Sequence, residues 1–215
     1  MTIQAMILKM STGLGRTISI FLLTLLFSLP LGLVVAFLRM SKIKPVSALA
    51  KVYISILRGT PLMLQLLVVA YGPFYLFGAA MARNKLVPII IGFSLNYAAY
   101  FAEIYRGGIE SMPVGQYEAA AVLGYSKMQT FMRIILPQVI KRILPSVTNE
   151  VITLVKDTSM AFTLAYMEMF SIGKQIANSQ SSFMPFVIAG VFYYIMNTVV
   201  AFIMSRFEKS MNYYR

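Results

Sequence analysis

Glu150, Thr153, Lys156, Asp157, Thr158 and Ser159 place acids, a cation and hydroxyls in a segment otherwise rich in Val, Leu and Ile. On a helix, Glu150 and Asp157 differ by roughly 20° of rotation and about 10 Å of rise, so they share a face, with Thr153 close to it. Two carboxylates on one face attract a cationic group, and the hydroxyls of Thr158 and Ser159 can donate to an anionic one. The alternative is internal, with Lys156 pairing with an acid to keep the helix neutral. Ionisable groups in apolar surroundings cost about 2.5–3.5 kcal/mol each on insertion scales, which makes either reading a statement about something these charges must meet.

A second constellation is Arg58, Gly59, Thr60 and Pro61, a cation beside a sequence that bends a helix. Arg58 lines a polar path or closes a packing kink by pairing with Asp157 or Glu103. Glu103 and Arg106 stand three apart, a spacing that predicts a local ion pair. The chain has no histidine and no cysteine, which removes thiolate chemistry, disulfides, the commonest general base and the usual zinc ligands. No carboxylate cluster has metal-ligand spacing, so no metal site and no catalytic residue is predicted. The lone Gly173-Lys174 pair is followed by Gln175, not by the Ser or Thr of a phosphate loop.

The elements that must hold these residues are apolar. The 215 residues are 59% hydrophobic and 12% charged, with a mean hydropathy of +0.75, against about 25% charged for a soluble domain. Lipid is the solvent that suits such a surface. Five segments, 18–38, 46–77, 86–105, 131–164 and 183–204, approach or exceed the roughly 20 residues that cross a bilayer. The net charge of +12 falls between these segments, as the positive-inside rule requires, so it points to orientation and not to nucleic acid. Alternating the segments puts Arg39, Lys42, Arg106, Lys127, Arg133, Lys141, Arg142, Lys209 and Arg215 inside. The amino terminus is then outside and the carboxyl terminus cytoplasmic. No repeat or linker divides residues 1–215, and residues 178–182 read as a hydrated outer turn.

Between the third and fourth segments runs Gln116, Tyr117, Glu118, Ala119, Ala120, Ala121, Val122, Leu123, Gly124, and nine residues later Ile134, Ile135, Leu136, Pro137. Physically, Gly115 frees the chain, Glu118 near a helix amino end favours the dipole, the alanines make a slim face, and Gly124 stops the helix. The segment resembles the cytoplasmic EAA motif of ABC importer membrane subunits. Arg58 to Leu62, Ala102 to Ile109, Pro137-Gln138 and Lys156 to Ser159 extend the resemblance to the permeases for polar amino acids. Met160 stands where that family usually has leucine, a swap of similar volume.

The resemblance implies an all-α membrane protein, a type I ABC importer transmembrane domain of about five helices. It implies a coupling helix at about residues 113–127, with Gln116, Glu118, Ala119, Ala120 and Gly124 against a partner ATPase. Arg58, Thr60 and Pro61 would belong to the translocation pathway and its gate, with Glu150 to Ser159 meeting the amino acid. The expected partners are two ABC ATPase subunits, a second permease subunit, identical or similar, an extracellular binding protein and the lipid bilayer. ATP and Mg belong to the ATPase, with no cofactor in this chain. A secondary transporter would use the same acids for protons or sodium, but it predicts an inverted repeat not visible here.

Overall fold

The computed structural model describes residues 1–80 and 82–211; Arg215, assigned from sequence to the inside, lies outside the described residues. The described residues are helical throughout, with no strand among them. Helix α1 (Ile3–Arg39) is capped by the Thr2 hydroxyl and carries Pro30 inside it. It begins well before the apolar run at 18 because Met6 and Met10 pack into a cluster with Met169, Ile172, Ile176 and Ile188. Helices α2 (Lys44–Gly59) and α3 (Leu62–Phe77) are broken from each other at Thr60 and Pro61 and bent by 112°.

Helix α4 (Leu86–Glu110) is the central element, burying Phe93, Tyr97 and Phe101 among Ile20, Leu66, Leu154 and Leu164. It packs closely along α1: a Cβ on Gly32 would lie 2.8 Å from Phe101 Cβ and 3.1 Å from the Ala98 carbonyl. Small residues let two backbones approach where apolar side chains gain nothing from leaving lipid. Helix α5 (Val114–Val122) follows a short turn, and α6 (Lys127–Thr130) opens on a capping box of Ser126 and Gln129. A π-helical turn at Phe131–Ile135 joins α6 to α7 (Leu136–Asp157), which tightens into a 3-10 turn at Thr158–Leu164. Helices α8 (Met169–Gln180) and α9 (Met184–Ser210) complete the chain.

Among the described residues, α1, α4 and α9 are long and apolar enough to cross a membrane, and the bent α2–α3 pair makes a fourth if it counts as one span. The expected segment at 131–164 is helical, but Lys141, Arg142, Glu150, Lys156 and Asp157 keep α7 out of that count. Sequence reasoning also missed α8. The turn expected at 178–182 begins only after Gln180, where Ser181 takes a left-handed conformation at φ 46°.

Candidate functional site at the broken helix

The break between α2 and α3 brings three elements together. Arg58, in the last turn of α2, sets its guanidinium carbon 5.1 Å from the centre of the Tyr100 ring on α4, a cation–π arrangement. The same guanidinium lies 3.9 Å from Glu103. Of the two partners expected for Arg58, the structure selects Glu103. Glu103 is itself held by Arg106, which donates from Nε at 3.0 Å and from Nη2 at 2.7 Å, and Arg106 also reaches Glu110. The local ion pair predicted from spacing is therefore one link of a short charge ladder along α4.

Helix α7 supplies the acids. Asp157 Oδ2 accepts a hydrogen bond from the Tyr97 hydroxyl at 2.7 Å, and Tyr97 is only 1% exposed. Asp157 pairs with neither Arg58 nor Lys156 within 4 Å. Lys156 is exposed and acts on it only as a neighbouring charge. Glu150 is half-buried, within electrostatic reach of Arg58 and Asp157, and makes no hydrogen bond or ion pair among the described residues. Thr153 is half-buried between them in sequence. Arg58, Tyr97, Tyr100, Glu103, Glu150 and Asp157 thus form one polar strip, with two carboxylates only lightly used. The nearby apolar groove between α1 and α4, about 450 Å³ and lined by Leu23, Phe27, Ile90 and Leu95, holds none of them.

The remaining hydroxyls are engaged locally. Thr158, fully buried, donates to the Val155 carbonyl at 2.7 Å, and Ser159 donates to the Lys156 carbonyl at 2.8 Å. Thr60 donates to the Ile56 carbonyl at 2.8 Å, and Pro61 caps the start of α3. Both Thr60 and Pro61 shape the corner that presents Arg58. Tyr97 and Tyr100 were missed in the sequence because tyrosines in apolar helices read as packing; Tyr100 stands three residues before Glu103, the spacing that puts it on the same face, whereas Tyr97 carries no such local signal.

A second region is exposed. On α5, Glu118 and Ala119 face outward with Val114, Val122 and Leu123, while Ala120 is buried and Gln116 accepts from Gln138 at 3.1 Å. Glu118 is the fifth residue of a nine-residue helix with no acid in its first turn, so the expected dipole contact at the amino end is corrected. Gly115 is helical. Gly124 does end the segment: its φ of 78° lets Tyr125 donate to the Ala120 carbonyl and Gly124 to that of Ala121, a Schellman closure.

A third polar centre was not foreseen. Glu168, fully buried at the start of α8, accepts from the backbone of Phe170 at 2.7 Å and of Ser171 at 2.6 Å, from the Ser171 hydroxyl at 2.8 Å, and from Thr17 and Tyr193 at 3.4 Å each. Burial pushes its carboxyl above the usual range, against the hydrogen bonds from Phe170 and Ser171. It ties α1, α8 and α9 together.

Residues 28–213 match the family described as binding-protein-dependent transport system inner membrane component. The probable amino-acid permease protein YxeN of Bacillus subtilis is 36% identical over 201 residues, 93% of this chain and 90% of that protein. The L-cystine transport system permease protein TcyB of the same organism is 35% identical over 208 residues, covering 95% and 87%. A crystal structure of an amino acid ABC transporter with histidines superposes with a TM-score of 0.85 at 31% identity, covering 94% of this chain and 93% of that one. The motif from Glu118 to Pro137, the all-helical architecture and these likenesses agree, and the chain belongs to the family of binding-protein-dependent transport system inner membrane components.

Proposed function

We propose that this chain is the permease subunit of an ATP-binding cassette importer for polar L-amino acids, with cystine, glutamine and basic amino acids as the candidate solutes. The observation that carries the reading is the pair of carboxylates Glu150 and Asp157, which receive one hydrogen bond between them, from Tyr97 to Asp157, with the cation Arg58 within electrostatic reach of Glu150. An amino acid brings an ammonium group and a carboxylate, and this strip offers both complements. Thr153, Thr60 and Pro61 shape the path, Lys156 adds charge at its edge, and the Thr158 and Ser159 hydroxyls would have to leave their backbone carbonyls to meet solute.

In this reading residues 1–215 form a single transmembrane domain with five spans, α7 being the polar one that lines the pathway. The amino terminus is outside and the carboxyl terminus cytoplasmic in the cell membrane. Residues 113–127 form the cytoplasmic coupling helix, whose exposed Val114, Val122 and Leu123 seat with Glu118 in a partner ATPase that holds ATP and Mg. Two ATPases, a second permease subunit and an extracellular amino-acid-binding protein complete the importer. ATP closes the ATPases, and the spans rock between inward-open and outward-open states.

The deciding experiment is uptake by the assembled complex in vesicles. Transport requires ATP and survives collapse of the ion gradients, whereas uptake that follows the gradient would move the chain to the secondary transporters. Glu118→Lys is expected to leave membrane yield intact and abolish transport, because it reverses charge on the surface offered to the ATPase. Wild-type uptake by that variant, with the ATPase bound normally, would remove the coupling assignment.

A further inference from the structure

The break at Thr60 and Pro61 leaves the carbonyls that end α2 without intrahelical donors, and Pro61 has no N–H to offer. In a segment at membrane depth, water is not at hand to replace them. Two buried amide side chains do so. Gln65 Nε2 on α3 donates to the Leu57 carbonyl at 2.8 Å and lies 3.0 Å from the Thr60 carbonyl and 2.9 Å from the Thr60 hydroxyl. Asn96 Nδ2 on α4 donates to the same Leu57 carbonyl at 3.0 Å and to Gln65 Oε1 at 2.9 Å. Tyr53 adds a bond from α2 to the Leu95 carbonyl of α4 at 2.7 Å. Gln65 and Asn96 are 8% and 4% exposed.

These contacts join three elements through one carbonyl. Arg58 follows Leu57 directly, and Tyr97 follows Asn96 directly, so the amides fix both the cation of the polar strip and the tyrosine that holds Asp157. We propose that Gln65 and Asn96 lock the α2–α3 corner onto α4, so that corner and α4 move as one body through the transport cycle and Arg58 keeps its place over Tyr100. The bend is a fixed elbow, and any gate in this part of the path opens by displacing the elbow as a whole, not by flexing at Pro61. Gln65 and Asn96 are positioning residues: they touch the backbone that carries Arg58, and the consequence for solute rests on the pathway reading given above.

The test uses the assembled importer with spin labels at Val52 on α2 and Val68 on α3, both on exposed surface at 54% and 66%. The labelled but otherwise unaltered protein is expected to give one narrow distance distribution in the nucleotide-free and ATP-bound states. A distance that changes with nucleotide makes the corner a hinge and overturns the proposal. Asn96→Leu and Gln65→Met remove the donors at similar size and are expected to broaden that distribution. They should raise the KM for solute about tenfold, as loss of one to two net hydrogen bonds implies, with basal ATP hydrolysis kept. Unchanged KM with a narrow distribution in both variants also overturns it. If either variant fails to assemble, the nucleotide dependence of the unmutated corner still decides. Failure of the pathway reading is separable, because it would leave the locked distance intact while Arg58→Gln transported normally.

Discussion

Glu168 and the pair Glu150 and Asp157 are carboxylates in the same apolar chain with opposite surroundings. Glu168 is fully buried and collects five donors from α1, α8 and α9. Asp157 receives one, from Tyr97, and Glu150 none among the described residues. A buried acid whose lone pairs are filled by protein is a structural joint. Acids that remain partly exposed and nearly unfilled keep their hydrogen-bonding capacity for a passing ligand. Acid count alone would have treated the three alike.

The largest effect is expected at the filled carboxylate. Glu168→Gln turns an amide NH2 toward a backbone N–H, of Phe170 or of Ser171, that can only donate, and with each unsatisfied buried group costing about 1–3 kcal/mol, the melting temperature and membrane yield should fall sharply. A normal melting temperature would erase the contrast. Asp157→Asn keeps the shape and one acceptor for Tyr97, so a melting shift of about 1 kcal/mol is expected, together with a large loss of uptake. Because the structure gives Asp157 no ion-pair partner within 4 Å, adding Lys156→Gln or Arg58→Gln should not restore stability. If either does, a charge pair has been overlooked.

Glu150→Gln should leave melting unchanged and weaken solute-stimulated ATP hydrolysis more than basal hydrolysis. Equal losses in both would place Glu150 with Glu168 as a structural residue. The smallest effect concerns pH. A carboxyl raised by burial binds its proton more tightly in the folded state, so Glu168 contributes stability that is present below its ordinary range and is lost as pH rises through its folded value. Melting curves should therefore slope downward with pH over that interval in the wild type, relative to Glu168→Gln. Identical slopes would mean that the hydrogen bonds cancel the effect of burial.

Legibility in the sequence followed how local each feature is. The helix α5, its stop at Gly124 and the bend at Pro61 depend on residues a few positions apart, and spacing sufficed for them. Glu118 was misplaced along its helix because α5 starts at Val114, earlier than the alanines suggest. The partners of Arg58 and Asp157 are Glu103, Tyr100 and Tyr97, all on α4 and far away in sequence, so only packing could choose among the candidates. Glu168 was missed because glutamate is an uncommon helix cap and its neighbours read as ordinary apolar chain. The span count differs for a related reason: the sequence segment at 131–164 is long enough, but Lys141, Arg142, Glu150, Lys156 and Asp157 keep α7 out of the helices apolar enough to cross a membrane.

The π-helical turn at Phe131–Ile135 sits between the exposed α5 and the acids of α7. A π turn accommodates one residue more than an α turn, so it takes up that residue without rotating the helix beyond it. Deleting one residue there would let the helix wind regularly and leave Glu150 and Asp157 close to their present phase, whereas one residue added within the regular part of α7 before Glu150 would swing both acids by about 100° around the helix axis. The wide turn acts like slack in a gear train, taking up one residue between α5 and α7 while the α7 acids stay on the side of Tyr97.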